Sequence, residues 1–210
     1  MSAKLQIGEE VAFPTLEALN AALIASEPLV PGATRAVPGE GPVNASLAFV
    51  GEQPGNEEDR TGQPFVGPAG RLFDRALADA GIAREQVYVT NAVKHFKFEQ
   101  RGKRRIHKKP TPAEVVHYRW WLKRELDLVH PRLVVALGAT AGLALAERKV
   151  AVIRERGPMR FGNRPGYLSV HPSFLLRLPD GAARLDAYAR FVSDLRDAGR
   201  LAGMTDKSAV

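Results

Sequence analysis

The stretch SLAFVGEQPG, residues 46–55, changes character at its midpoint. Ser46–Val50 is a short apolar run with no polar alternation, which reads as a strand buried on both faces. Gly51 ends it, and a long loop with Pro54, Gly55, Gly62 and Pro64 follows. Pro68 then opens a helix with Leu72, Phe73, Ala76 and Leu77 facing inward. The same grammar recurs along the chain. Gln86–Thr90 is a second strand, closed by Asn91. Leu133–Leu137 is a third, followed by a helix over Ala139–Glu147. Tyr167–Val170 is a fourth, ending at His171-Pro172. Between them, Thr111–Val129 repeats apolar residues at three- and four-residue steps (Val115, Tyr118, Leu122, Leu126, Val129). Leu16–Ser26 is a first helix, and Leu185, Tyr188, Val192 and Leu195 mark a last one. Strands alternating with helices predict an α/β fold, a three-layer α/β/α sandwich around a central four-stranded parallel sheet. One domain over residues 1–210 is expected, with loose termini at 1–12 and 206–210.

Each strand's C-terminal end is followed by polar or glycine-rich residues: Gly51-Glu52-Gln53, Asn91, Gly138 and His171-Pro172-Ser173. Open parallel sheets bind ligands at that edge. The basic residues are equally localised. The chain holds 30 Lys and Arg against 23 acids, a net charge of +7. Lys94–Lys109, KHFKFEQRGKRRIHKK, alone holds eight of them against one acid, Glu99, so the rest of the chain is balanced. A concentrated positive patch suits a polyanion such as a nucleic-acid backbone. His107 lies within it, a residue able to act as nucleophile or proton carrier near neutral pH. Cysteine is absent, which excludes disulfides, thiolate catalysis and cysteine-held metal centres. The histidines show no metal-ligand spacing, so no metal is implied. No membrane span or signal peptide is read, and a cytoplasmic, DNA-associated monomer is expected.

GEQPGNEEDRTGQPFVGPAGRLFDRAL (51–77), VTNAVKHFKF (89–98) and HPSFLLR (171–177) resemble the motifs of the family 4 uracil-DNA glycosylases. The inserted KRRIH (103–107), and GEQPG where family 4 usually reads GEAPG, resemble the UdgX branch of that superfamily. The resemblance implies that uracil-containing DNA is the partner and that Asn91 reads the base with its amide, while Phe65 stacks on it. Gly51 and Gln53 would line the same pocket. His171 would face uracil O2 as charge develops there. Ser173 and Arg177 would meet the minor groove, and Lys94, Lys103, Arg104, Arg105 and Lys108 would hold phosphates. Glu52 would stabilise the sugar cation or orient His107 through its other ring nitrogen. Of the acidic run Glu57–Asp59, only Asp59 is placed near the site. In the UdgX branch the loop histidine attacks C1′ and stays bound to DNA, so His107 is expected to do so. Two rivals stand beside that expectation: ordinary hydrolysis to an abasic site, and a non-catalytic DNA-binding module.

These relatives carry an iron–sulfur cluster held mainly by cysteines. Here the matching positions fall near Ile24, Glu27 and Tyr118, with His95 at a further ligand site. One imidazole cannot hold a cluster. No cofactor is therefore expected, with Ile24 and Tyr118 filling the volume by apolar packing and the Trp120-Trp121 pair compensating.

Overall fold

A computed structural model describes residues 13–28, 32–179 and 181–204. The loose ends expected at 1–12 and 206–210 lie outside the described residues. In chain order the elements are α1 (Leu16–Ala25), β1 (Leu47–Gly51), α2 (Asn56–Thr61), α3 (Pro68–Asp79), β2 (Tyr88–Asn91), β3 (Phe98–Arg101), β4 (Arg104–His107), α4 (Pro112–Val129), β5 (Leu133–Leu137), α5 (Gly138–Ala146), β6 (Gly157–Phe161), β7 (Arg164–Ser169), α6 (Pro172–Leu176) and α7 (Gly181–Leu201).

Five strands form the main sheet in the order β2-β1-β5-β7-β6. The four expected strands are its parallel members, and β6 adds an antiparallel edge against β7. That fifth strand escaped the sequence reading because its centre, Pro158-Met159-Arg160, is largely open to solvent and lacks an apolar run. β1 and β5 are buried throughout, and their side chains alternate between two cores. Ala48, Val50, Val134 and Ala136 pack in a layer with α1, α4 and α5. Leu47, Phe49, Leu133 and Val135 pack in the opposite layer with α3 and α7. Burial on both faces is what permits a parallel sheet to be uninterruptedly apolar.

α4 begins where the sequence says it should. Thr111 Oγ1 accepts from the Glu114 N–H at 3.3 Å, and Glu114 Oε2 accepts from the Thr111 N–H at 2.6 Å, a reciprocal capping box. Its apolar stripe, Val115 to Val129, is buried as expected, whereas Leu185 on α7 is 72% exposed and does not face the core. Lys94–Lys109 is a loop only in part. Residues 98–107 pair as an antiparallel hairpin, β3–β4, turning at Gly102 with φ +57°. No helix among the described residues is long and apolar enough to cross a membrane.

Strand order sets the location of the ligand crevice. The chain runs from β1 outward to β2, then returns to β5 on the other side of β1. Between β1 and β5 the connections diverge, leaving an open notch at the strands' C-terminal ends.

Candidate active site

At that notch lies a cavity of about 890 Å³. Glu52 and Gln53 enter it from the end of β1, Asn91 from β2, Gly138 and Ala139 from β5, and His171 from the end of β7. Phe65 comes from the loop before α3, and His107 from the hairpin. Residues up to 119 positions apart are thus brought together by strand ends alone.

Phe65 sits at φ +59°, a left-handed backbone conformation that a bulky residue seldom adopts. Two glycines make room for it. A Cβ on Gly70 would lie 1.7 Å from the Phe65 carbonyl oxygen, and one on Gly51 would lie 2.7 Å from its ring. Gly51 also admits the Asn91 side chain, whose Oδ1 is 2.4 Å from where its Cβ would stand. The loop is fastened by Glu58, which accepts from the Gly55 and Gly67 N–H groups at 3.0 and 2.9 Å. Glu58 is buried and lines the cavity, although only Asp59 of the acidic run was expected near the site.

Asp59 behaves the opposite way. It is fully buried, outside the cavity lining, and cannot reach a reacting sugar. It accepts from Thr34 and from Arg105 Nη1 at 2.5 Å. Burial would raise its pKa, but the Thr34 and Arg105 hydrogen bonds outweigh that and hold it below the usual carboxylate value. Arg105 also lies over the rings of Phe96 and Phe98 and donates to Asn56. Together these contacts fasten the hairpin to the body, so Arg105 is engaged inward rather than offered to phosphate.

Lys94, expected among the phosphate-holding bases, is wholly buried. Its ammonium donates to Glu125 and Thr90 at 2.6 Å each, and Glu125 also accepts from Tyr88, Thr90 and the Gly39 N–H. Without that pairing, burying the charge would be prohibitive. Lys103 and Arg104 are exposed at the hairpin turn, and Lys108 pairs with Glu99 at 2.9 Å. Ser173 and Arg177 line the cavity rim.

His107 and Glu52 face each other, Nε2 to Oε1, at 3.5 Å. The carboxylate thus approaches Nε2, and not the far ring nitrogen as expected. The same Nε2 lies 2.9 Å from Gln53 Nε2. Glu52 has a further partner that the sequence reading missed: Thr140 Oγ1 donates to its Oε2 at 2.5 Å. Thr140 is buried at the start of α5, directly across the notch from β1. Its place three residues after Leu137, the last residue of β5, was the available signal.

The His171 proton can be located from its neighbours. Nδ1 accepts from the Ser173 backbone N–H at 3.2 Å, so a neutral ring carries its hydrogen on Nε2. Burial lowers the pKa to about 4, with Arg177 and His107 acting in the same direction and Glu52 opposing. At neutral pH this ring is therefore an uncharged N–H donor.

At the positions matching the relatives' cluster ligands, the donor set does not fit an iron–sulfur centre. His95 Nδ1 is 2.7 Å from the Tyr118 hydroxyl, and both side chains are buried. No thiolate exists in the chain. Ile24, expected to fill this volume, is instead 58% exposed. His95 and Tyr118 thus meet as a hydrogen-bonded pair rather than an apolar contact, and Phe13 and Trp121 each meet Trp120 edge-on.

Comparison with known proteins agrees with the geometry. The profile of the uracil DNA glycosylase superfamily matches residues 38–196. The chain is 40% identical over 153 residues to the Type-4 uracil-DNA glycosylase of Thermotoga maritima, covering 71% of this chain and 76% of that protein. It is 33% identical over 179 residues to the Archaeoglobus fulgidus Type-4 enzyme, covering 81% and 83%. A Type-5 uracil-DNA glycosylase of Pyrobaculum aerophilum is 34% identical over 157 residues, covering 66% of each chain.

Proposed function

Because this chain belongs to the uracil-DNA glycosylase superfamily, we propose that it excises uracil from DNA and that His107 then captures the sugar at C1′. The observation that carries the capture step is the His107 imidazole, on a pinned hairpin, 3.5 Å from Glu52 inside the base cavity. A flipped uracil would stack on Phe65, and Asn91 would pair with its edge, donating through Nδ2 and accepting through Oδ1. As the C1′–N1 bond breaks, its electron pair leaves with the base. The His171 Nε2–H would donate to the uracil oxygen that gains this charge. C1′ becomes cationic and is stabilised by Glu52. The imidazole lone pair then forms the N–C1′ bond, and the resulting imidazolium loses its remaining N–H proton to solvent. Neither step uses a metal or cluster, and we propose that the chain works without one, as its donor set implies.

The second reading, hydrolysis to a free abasic site, is favoured by the relatives at 33–40% identity, which are Type-4 uracil-DNA glycosylases. Here water would attack C1′ with Glu52 as base. A labelled uracil oligonucleotide incubated with the protein and run on a denaturing gel separates the two. Capture gives a band that survives SDS and heat and disappears in His107→Ser. Uracil release without such a band establishes hydrolysis, and no release at all removes both.

A further inference from the structure

A second cavity of about 350 Å³ adjoins the base cavity, sharing Lys109 and Ala139 with it. Its remaining walls are mainly apolar: Pro110, Pro112, Val115, Leu143 and Val150. Lys109 and Lys149 are both exposed and both line it. Thr140, whose hydroxyl holds Glu52, forms part of its wall, so the cavity abuts the reacting centre.

Pairing within the basic segment leaves Lys103 and Arg104 at the hairpin turn, and Lys109 beside this cavity, as its cations without an ion pair among the described residues. Within the basic segment, Lys94 is paired with Glu125, Lys97 with Glu114, Arg105 with Asp59, and Lys108 with Glu99. Among the described residues neither Lys109 nor Lys149 forms an ion pair. An ammonium with no carboxylate partner, beside an apolar recess, offers the two things a nucleotide requires: a cation for the phosphate and a dry surface for the base.

We propose that this cavity is a subsite for a nucleotide flanking the target uracil, with its base against Leu143 and Val150 and a phosphate between Lys109 and Lys149. The inference rests on the uracil-excising reading and extends it along the strand. Chain continuity is the argument for the occupant: the two cavities share Lys109 and Ala139, so a strand whose target base enters the larger one can set a neighbouring nucleotide at this opening. A flanking base can enter only when it has left its own stack and partner. The subsite therefore contributes more with single-stranded than with duplex substrate.

The test uses single-stranded oligonucleotides with one uracil, in which the 5′ or the 3′ neighbour is replaced by a baseless tetrahydrofuran nucleotide. The half-saturating protein concentration for uracil release is read under single-turnover conditions, with binding followed by fluorescence anisotropy. Removing the base on one side is expected to raise that concentration roughly tenfold, the order expected for one buried base. In Leu143→Phe, which fills the recess, the same substitution should change it less than twofold. Lys149→Ala, at an exposed position, should raise it about threefold with the intact substrate and lower the salt dependence by close to one phosphate contact. Indifference to both neighbouring bases overturns the proposal, as does an undiminished effect in Leu143→Phe together with an unchanged salt slope in Lys149→Ala. Neighbour-dependent binding without any uracil release would leave the subsite standing and overturn the glycosylase reading instead.

Discussion

Exchanging Thr140 for Val removes one hydroxyl and almost no volume from a buried position, so it isolates the hydrogen bond to Glu52. A hydrogen bond to a charged group contributes about 1.5–3 kcal/mol, and about 1.4 kcal/mol in a barrier is tenfold in rate. The Glu52 side chain is 23% exposed, so water can replace part of what Thr140 supplies and the lower end applies. Uracil release and capture should therefore both slow by about tenfold in Thr140→Val, and the folded state should lose about 1.5 kcal/mol. Thr140→Ser keeps the hydroxyl and should stay within about threefold of the parent. Single-turnover time courses on one end-labelled uracil oligonucleotide read both steps: released base by alkaline cleavage, capture by the SDS-resistant band. A Val variant as fast as the parent, or a Ser variant as slow as Val, would show that Glu52 does not depend on this contact for its orientation.

Three further outcomes follow from the same coordinates. Gly70→Ala must displace the Phe65 backbone, because its Cβ would stand 1.7 Å from that carbonyl oxygen; uracil release should fall at least tenfold in a protein that still melts cooperatively, and a normal rate would remove Phe65 from the base site. Lys94→Met leaves the buried Glu125 carboxylate with three neutral donors and no counter-ion, which should cost about 3–5 kcal/mol in urea-denaturation stability; a loss below about 1 kcal/mol contradicts a charged pair at that depth. His95 and His171 both titrate near 4 in the folded chain, chiefly because burial disfavours the cation. With the unfolded value near 6.5, the unfolded state binds more protons between the two, so stability is constant above about pH 6.5 and falls as pH drops toward 4, by up to roughly 3 kcal/mol for each ring. Denaturant midpoints measured from pH 7.5 to 4.5 check this, and a flat profile refutes it.

The parallel sheet and its ligand edge were legible because they depend on local pattern. A strand buried on both faces must be apolar throughout, as Leu47–Val50 and Leu133–Leu137 are, and the polar break at its end marks the crevice. What the sequence hid are interactions whose partners lie far along the chain. Lys94 looked like one more base in a cationic run, yet its partner Glu125 stands 31 residues away on α4. Asp59 and Glu58 are adjacent and chemically alike, and only the folded loop decides that one holds Arg105 while the other ties Gly55 to Gly67. The hairpin was invisible for a related reason. Its cohesion comes from a guanidinium over two aromatic rings rather than from an apolar face, so periodicity carries no trace of it. The Tyr118–His95 bond follows the same rule, joining positions 23 residues apart in the volume a cluster would need.

The contacts of Gln53 place opposing demands on His107, and from them an order of events can be derived. Gln53 Oε1 accepts from the Lys97 N–H, while its amide nitrogen faces the Lys97 and Lys108 carbonyls, so the amide orientation is fixed and its N–H side meets His107 Nε2. Where one of the two amide hydrogens is shared with the ring, Nε2 accepts it with its lone pair and a neutral ring carries its proton on Nδ1. The Glu52 carboxylate lies 3.5 Å from that same atom. In the proposed capture, a neutral ring would start next to a carboxylate whose attraction is realised only as the imidazolium forms, a contribution acting on the product of capture. The lone pair held toward Gln53 cannot overlap C1′ at the same time, so the ring must turn before the bond can form. Its side chain is half exposed on a two-stranded hairpin, which leaves that turn open to it. In the proposed reaction, departure of the base would therefore precede capture. A carboxylate already in place would hold the sugar cation during the interval, and this is why the orientation of Glu52 by Thr140 is expected to govern both rates together.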